Sequence, residues 1–278
     1  MKSVLITGCS NGGLGSSLAL AFQKRNYHVF ATARNTSKMS DLADSPNITF
    51  LPLDVTKPEQ ITAAVASVSE STGGTLDYLI NNAGNNRYMP VLDEDLDACR
   101  ALFEINVWGA VAVIKAFAEL VIKARGVVVG ISSVGGHVNT PYMATYAATK
   151  RSLEIYLDTL RLELSPFGVR VVSVVTGSVK SKGNSYFDDL MLPEKSLYKA
   201  VEESVLARAK WEDGVPRESS EKWAEKVVKR LTGGSRGHLW EGIAAGTIWF
   251  MERVVPVWIM DKMFAMGTGL DKLGGKKD

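Results

Sequence analysis

The stretch "SVLITGCSNGGLGSSLALAF", residues 3–22, decides the fold. A short apolar run breaks at Gly8, a turn carries Gly12, Gly13 and Gly15, and helical spacing takes over from about residue 14. Glycine lets the backbone turn tightly and approach a bound group, and the helix N-terminus behind the turn favours negative charge. A glycine-rich turn alone says little. Between a first strand and a first helix, it predicts a phosphate-binding turn.

The same alternation repeats along the chain. Residues 28–33, 48–55, 76–81, 126–132 and 169–175 are apolar runs of strand length, and 237–240 is a last short one. Most are continuous, as in strands covered on both faces. Helices are predicted at 14–25, 58–71, 95–124 and 142–165, then towards Trp211 and at 220–231. This order predicts an α/β fold, a doubly wound parallel sheet with helices on both faces. The segment between 176 and the last helices reads as loop, and the tail "GGKKD" as a frayed end.

The bulk composition agrees. A chain of 278 residues with 46% hydrophobic and 22% charged residues can bury a sizeable core. The net charge of +2 gives no footprint for nucleic acid. Cys9 and Cys99 are far apart and no CxxC occurs, so neither a disulfide framework nor a zinc site is expected. That usage fits a reducing, cytoplasmic setting. The start "MKSVLITG" reads as the first strand and not as a signal peptide.

Two further features carry chemistry. The second strand ends in "ATAR", where many dinucleotide folds place an acid for the ribose hydroxyl. Arg34 stands there instead and suits a 2′-phosphate, which favours NADP(H) over NAD(H). The other is "TYAATKRSL", residues 145–153, on a helix expected to open at Pro141. Tyr146 and Lys150 are four apart and share a face. An ammonium so placed is expected to lower the tyrosine pKa from about 10. Lys150 also continues the apolar stripe of Leu153, Leu157, Leu160 and Leu164, so it needs a polar partner or must snorkel outward.

Together these residues resemble the short-chain dehydrogenase/reductase family, in its single-domain Tyr-x-x-x-Lys branch, over residues 2 to about 181. The resemblance implies a Rossmann-type sheet. It implies a cofactor turn with Gly8, Ser10, Asn11, Gly13, Leu14 and Gly15, and an adenine contact at Asp54 and Val55. "NNAG" implies that Asn82, Ala83 and Gly84 lie beside the cofactor, and Gly177, Val179 and Ser181 match its nicotinamide side. Asn106, Ser133, Tyr146 and Lys150 match the catalytic set, with Tyr146 and Lys150 also touching the cofactor. In that set the tyrosine gives a proton to a carbonyl oxygen as nicotinamide delivers hydride, so no metal is expected.

Three departures stand out. The turn has one residue more than the usual TGxxxGxG, with Gly12 or a neighbour as the surplus. No basic residue lies within the turn, and Thr176-Gly177 replaces the usual Pro-Gly. The stretch "TGCSNGGLG" and a Trp-containing C-terminal segment resemble the fungal 1-acyldihydroxyacetone-phosphate reductase-like subgroup, whose members also serve lipid and secondary metabolism. The expectation is therefore an NADPH-dependent ketoreductase for a hydrophobic ketone. The alternatives are an alcohol dehydrogenase in the oxidative direction and a non-catalytic dinucleotide sensor. His137, Tyr142 and Met143 are expected to line the substrate cleft. The resemblance further implies a homo-oligomer paired through 95–124 and 142–165.

Residues 1–241 are taken as the catalytic domain and 242–278 as an apolar extension of it. The longest uncharged run in 242–266 is ten residues, too short to span a bilayer. Three readings stay open for it: core or subunit contact, a lid that covers an apolar ligand with Trp249, Phe250, Trp258 and Phe264, or peripheral contact with a membrane or lipid droplet.

Overall fold

The structure is a computed structural model that describes residues 1–182 and 187–274. The parts of the loop and tail expectations at 183–186 and 275–278 lie outside the described residues. The strands are β1 (Ser3–Ile6), β2 (His28–Ala33), β3 (Ile48–Pro52), β4 (Tyr78–Asn81), β5 (Val127–Ser133), β6 (Arg170–Thr176) and β7 (Gly237–Glu241). They form one parallel sheet in the order β3-β2-β1-β4-β5-β6-β7. The order reverses between β1 and β4, and a crevice for ligands is expected at the carboxyl ends of the strands there.

The helices are α1 (Leu14–Gln23), α2 (Pro58–Thr72), α3 (Leu96–Phe103), α4 (Ala110–Ala124), α5 (Ala144–Glu163), α6 (Glu202–Ala209), α7 (Ser220–Thr232), α8 (Ala245–Val254) and α9 (Val257–Ala265). They cover both sheet faces because strand side chains alternate. Val4 and Ile6 pack with Phe22 of α1 and Trp223 of α7, whereas Leu5 between them packs with Phe117 of α4 and Leu157 of α5. Gly130 lets α5 lie close on β5, since a Cβ there would sit 2.4 Å from Leu157 Cδ1. That contact brings the start of α5 to the end of the strand.

Three boundaries differ from the expectation. β3 stops at Pro52, because Asp54 Oδ1 accepts hydrogen bonds from the Thr56 amide and hydroxyl and starts the turn into α2. The segment 95–124 is α3 and α4 joined by a π-helical turn, Glu104–Gly109. The helix expected from Pro141 begins at Ala144, after a left-handed Tyr142 with φ of 69°. The Tyr142 ring is drawn into a side cluster with Tyr88 and Phe187, and its hydroxyl donates to Thr268 O at 3.0 Å.

The run Leu96–Ala124 is apolar and long enough to cross a membrane by length and composition. Half of its apolar window is buried against the protein, as expected of a core helix. The C-terminal pair α8–α9 rests on the sheet edge through Ile248 and Met260, packed with Val138 and Trp240.

Candidate active site

A cavity of about 1180 Å³ runs along the carboxyl ends of the strands. The glycine turn forms one end, with Gly8, Ser10, Asn11, Gly13 and Leu14 on its wall. Gly8 has φ of 75°, and a Cβ on it would lie 2.9 Å from Ala83 Cα. Gly15 faces away from the cavity and fits α1 against the turn; its Cβ would lie 2.3 Å from Gly8 O. Gly13 caps α1 without a side-chain bond, so the first helical amides keep no side-chain partner there. Gly12, with φ of 68°, lies off the wall, and a Cβ on it would meet Lys182 Cε at 2.8 Å.

Asn82 steadies this turn from β4, donating to Thr7 O at 2.8 Å and Gly8 O at 3.0 Å. Ala83 and Gly84 follow it on the wall. Arg34 lines the rim beyond β2, near Asp54 and Val55. Burial opposes ionisation of Asp54, but the Thr56 bonds and the charges of Arg34 and Lys57 hold its pKa below the ordinary value. Asn11 is bound to the segment after β2, donating to Ser40 Oγ at 2.7 Å and accepting from the Asp41 amide at 3.1 Å.

The other end joins β5 to α5. Ser133, at the end of β5, accepts from the Gly135 amide at 3.0 Å and hydrogen-bonds Tyr146. Lys150 Nζ lies 5.7 Å from the Tyr146 ring centre and donates to Ile131 O at 2.9 Å. That carbonyl is the polar partner the apolar stripe required. Asn106 is buried behind the wall. It accepts from the Asn85 amide and donates to Asn85 O and Thr149 Oγ1, so the π-helical turn fastens the loop after β4 to α5. Gly177, Val179 and Ser181 close this end from β6.

The cavity therefore joins a turn suited to phosphate with a Ser-Tyr-Lys cluster. The family model for short chain dehydrogenases matches residues 2–189, more than half of the chain. The chain is a short-chain dehydrogenase. It is 42% identical over 269 residues to the short-chain dehydrogenase ptmH of Penicillium ochrochloron, covering 97% of this chain and 98% of that one. It is 35% identical over 257 residues to the NADPH-dependent 1-acyldihydroxyacetone phosphate reductase of Schizosaccharomyces pombe, covering 89% and 85%. Among solved structures, a Streptomyces avermitilis short-chain dehydrogenase matches with a TM-score of 0.76 and 26% identity, covering 100% of this chain and 98% of that one. A Burkholderia cenocepacia short chain dehydrogenase solved with NADP shares the fold, with a TM-score of 0.75, 24% identity, and coverage of 95% and 99%.

Within this short-chain dehydrogenase, four expectations need correction. Burial raises the Tyr146 pKa above its ordinary 10, and the Ser133 bond only partly opposes this. Burial outweighs the neighbouring ammonium: Lys150 donates to Ile131 O and is itself depressed by burial to about 8, with Glu154 opposing. His137 lies off the cavity wall. Its Nε2 meets Glu154 Oε2 at 2.8 Å and its Nδ1 meets Glu252 at 3.0 Å. Burial would lower the His137 pKa, but these two carboxylates raise it. Tyr142 is also off the wall, held in its side cluster, whereas Met143 lines the cavity. In the C-terminal segment Phe264 reaches the cavity, while Trp249, Phe250 and Trp258 face solvent.

The structure adds residues that the sequence reading missed. Ser37 and Lys38 join Arg34 on the rim from a 3₁₀ turn after β2, so a second cation stands near Arg34. Val138, Ile248 and Phe264 form an apolar wall of the same cavity, and Arg208 with Tyr88 forms a polar one. No helical stripe marks Lys38. Its place depends on the Asn11 amide donating to its carbonyl at 2.7 Å, across 27 residues of chain.

Proposed function

We propose that this short-chain dehydrogenase is an NADPH-dependent reductase of apolar ketones. The observation that carries the reading is that Ser133, Tyr146 and Lys150 share one cavity with the glycine turn and Arg34. The fit to NADP(H) rests on the chain's own groups: the glycine turn on the cavity wall, the N-terminus of α1 without a side-chain cap, and the cations Arg34 and Lys38 for a 2′-phosphate. The fission-yeast relative is described as NADPH-dependent, in agreement.

The cofactor supplies hydride to the carbonyl carbon. Tyr146 gives the proton to the carbonyl oxygen. Burial raises its pKa, so the phenol is protonated at neutral pH and has a proton to give. Ser133 is oriented through the Gly135 amide and donates to the same oxygen. Lys150 is buried beside the ring and offsets the charge left on the phenolate. Asn106 holds the loop after β4 against α5 and, across Gly84, faces Lys150 on the path by which the proton returns. A sensor has no need of this set. The reading is tested with a panel of apolar ketones and either NADPH or NADH, following loss of the reduced-nicotinamide absorbance. Turnover with NADPH supports it; binding of NADPH without turnover of any ketone supports the sensor.

Residues 242–274 act as an extension of the catalytic domain that walls the substrate. Ile248 and Phe264 face the cavity, and the Ser178 amide donates to Ile243 O at 2.8 Å, tying the extension to the loop after β6. Its outer face contacts an anionic lipid surface. Glu252 turns inward to His137 and Asp261 to Asn139, while Arg253 and Lys262 stay outward over Trp249 and Trp258. Exposed Phe250, Val254 and Val257 complete the face. Flotation with phosphatidylserine-containing vesicles, lost on Trp249→Glu with Trp258→Glu, is expected. No flotation, with those changes instead dissociating an oligomer, would assign the face to a second copy. A separate apolar face, with Trp108 packed on Tyr156 and with Ile155 exposed, suits pairing of two chains through α4 and α5. Light scattering of Trp108→Glu tests that.

A further inference from the structure

The substrate end of the cavity is not apolar throughout. Arg208, at the end of α6, lines it together with Tyr88. Its Nη1 donates to Met266 O at 3.0 Å, which anchors the guanidinium. Its Nε is buried and has no hydrogen-bond partner. Tyr88 hydrogen-bonds Arg208, but a phenol is neutral; burial raises its pKa although that bond opposes the rise.

The charges nearby do not neutralise this group. Asp213 is held by Arg217 through two bonds of 2.8 and 3.0 Å, and Arg217 lies 4.9 Å over the Trp211 ring. Among the described residues, no carboxylate pairs with Arg208. A half-buried guanidinium without counter-charge, with one buried N–H unbonded, is destabilising by itself. A planar donor fork of this kind matches an oxyanion. Met143, Val138 and Phe264 line the same cavity and suit an apolar body.

We infer that the substrate is an apolar ketone that carries a separate oxyanion, and that Arg208 is the residue that reads it. The inference rests on the ketoreductase reading and narrows its substrate class. Carboxylate and phosphate share the chemistry, and matched compounds separate them.

The test uses full-length enzyme with NADPH and two ketone pairs: an apolar keto acid with its methyl ester, and an apolar keto alcohol phosphate with its free alcohol. Hydrogen bonds to charged groups contribute about 1.5–3 kcal/mol, or roughly tenfold to a hundredfold. The wild-type enzyme should prefer one anionic member over its neutral partner by about that factor in kcat/KM. Arg208→Gln should erase the preference through KM, and Arg208→Lys should keep an intermediate ratio, because an ammonium retains charge without the fork. The pair that shows the effect identifies carboxylate or phosphate. Equal ratios in wild type and Arg208→Gln for both pairs would overturn the inference and leave the reductase reading standing. If no ketone is turned over, the reductase reading fails. Calorimetric binding of the same compounds to the enzyme–NADP⁺ complex then decides the oxyanion site alone: an anion preference lost in Arg208→Gln upholds it, and no preference overturns it.

Discussion

The glycine turn and the C-terminal pair α8–α9 both border the same cavity, yet they are built on opposite terms. Around the turn, β1 is wholly buried, and Gly8 and Gly15 are fixed by backbone neighbours that leave no room for a Cβ. The C-terminal pair touches the cavity with two side chains, Ile248 and Phe264, and shows large apolar residues to solvent on its outer face. The contrast separates two tasks: a rigid frame suits a cofactor of fixed shape, and an apolar wall on two short helices suits a ligand whose shape is its own.

If the contrast is right, changes in the two regions separate cofactor affinity from substrate affinity. The largest effect belongs to the frame. Arg34→Ala should weaken NADPH by about tenfold to a hundredfold, as expected for a lost charge-assisted bond, and spare NADH. Fluorescence titration with both cofactors checks this, and equal weakening of the two would make Arg34 a structural residue. A smaller effect belongs to the wall. Phe264→Ala should raise KM for large apolar ketones by about tenfold, near the lower end of the value of burying such a side chain, with NADPH affinity kept. Loss of NADPH binding in that variant would erase the contrast.

The third effect is a displacement of a pH profile. Lys150 has a pKa depressed to about 8, so its charged form is present below that pH and is lost as pH rises through it. Reductive kcat/KM of the free enzyme should therefore fall on the alkaline side from about pH 8. Glu154, one helical turn beyond Lys150, raises the lysine pKa through its charge. Glu154→Gln should move the alkaline limb to lower pH. An unmoved limb would detach it from Lys150.

What was legible in the sequence follows the same division. All seven strands were visible because continuous apolar runs mark strands covered on both faces. Tyr146 and Lys150 were legible because helical spacing fixes their relative place within one element. His137 was misread because its partner Glu252 lies 115 residues away and is brought to it only when α8 docks. Tyr142 was misread because its left-handed backbone and its bond to Thr268 are set by the chain end packing beneath it. The Tyr146 pKa was misjudged for a related reason. Spacing places an ammonium near the ring, but only the fold shows that Ile131 O takes its hydrogen bond and that burial dominates. Lys38 was invisible because a 3₁₀ turn has no apolar period to reveal which side faces the cavity.

The central claim is that Tyr146 gives the proton in a ketone reduction within this frame. The direct measurement is kcat for Tyr146→Phe with NADPH and a ketone that the wild-type enzyme reduces, alongside NADPH binding by fluorescence. General acid catalysis contributes about 10²–10⁴-fold, so kcat should fall by about that factor while NADPH binding persists. A variant that binds NADPH and keeps more than about a tenth of wild-type kcat, well above that range, would contradict the account.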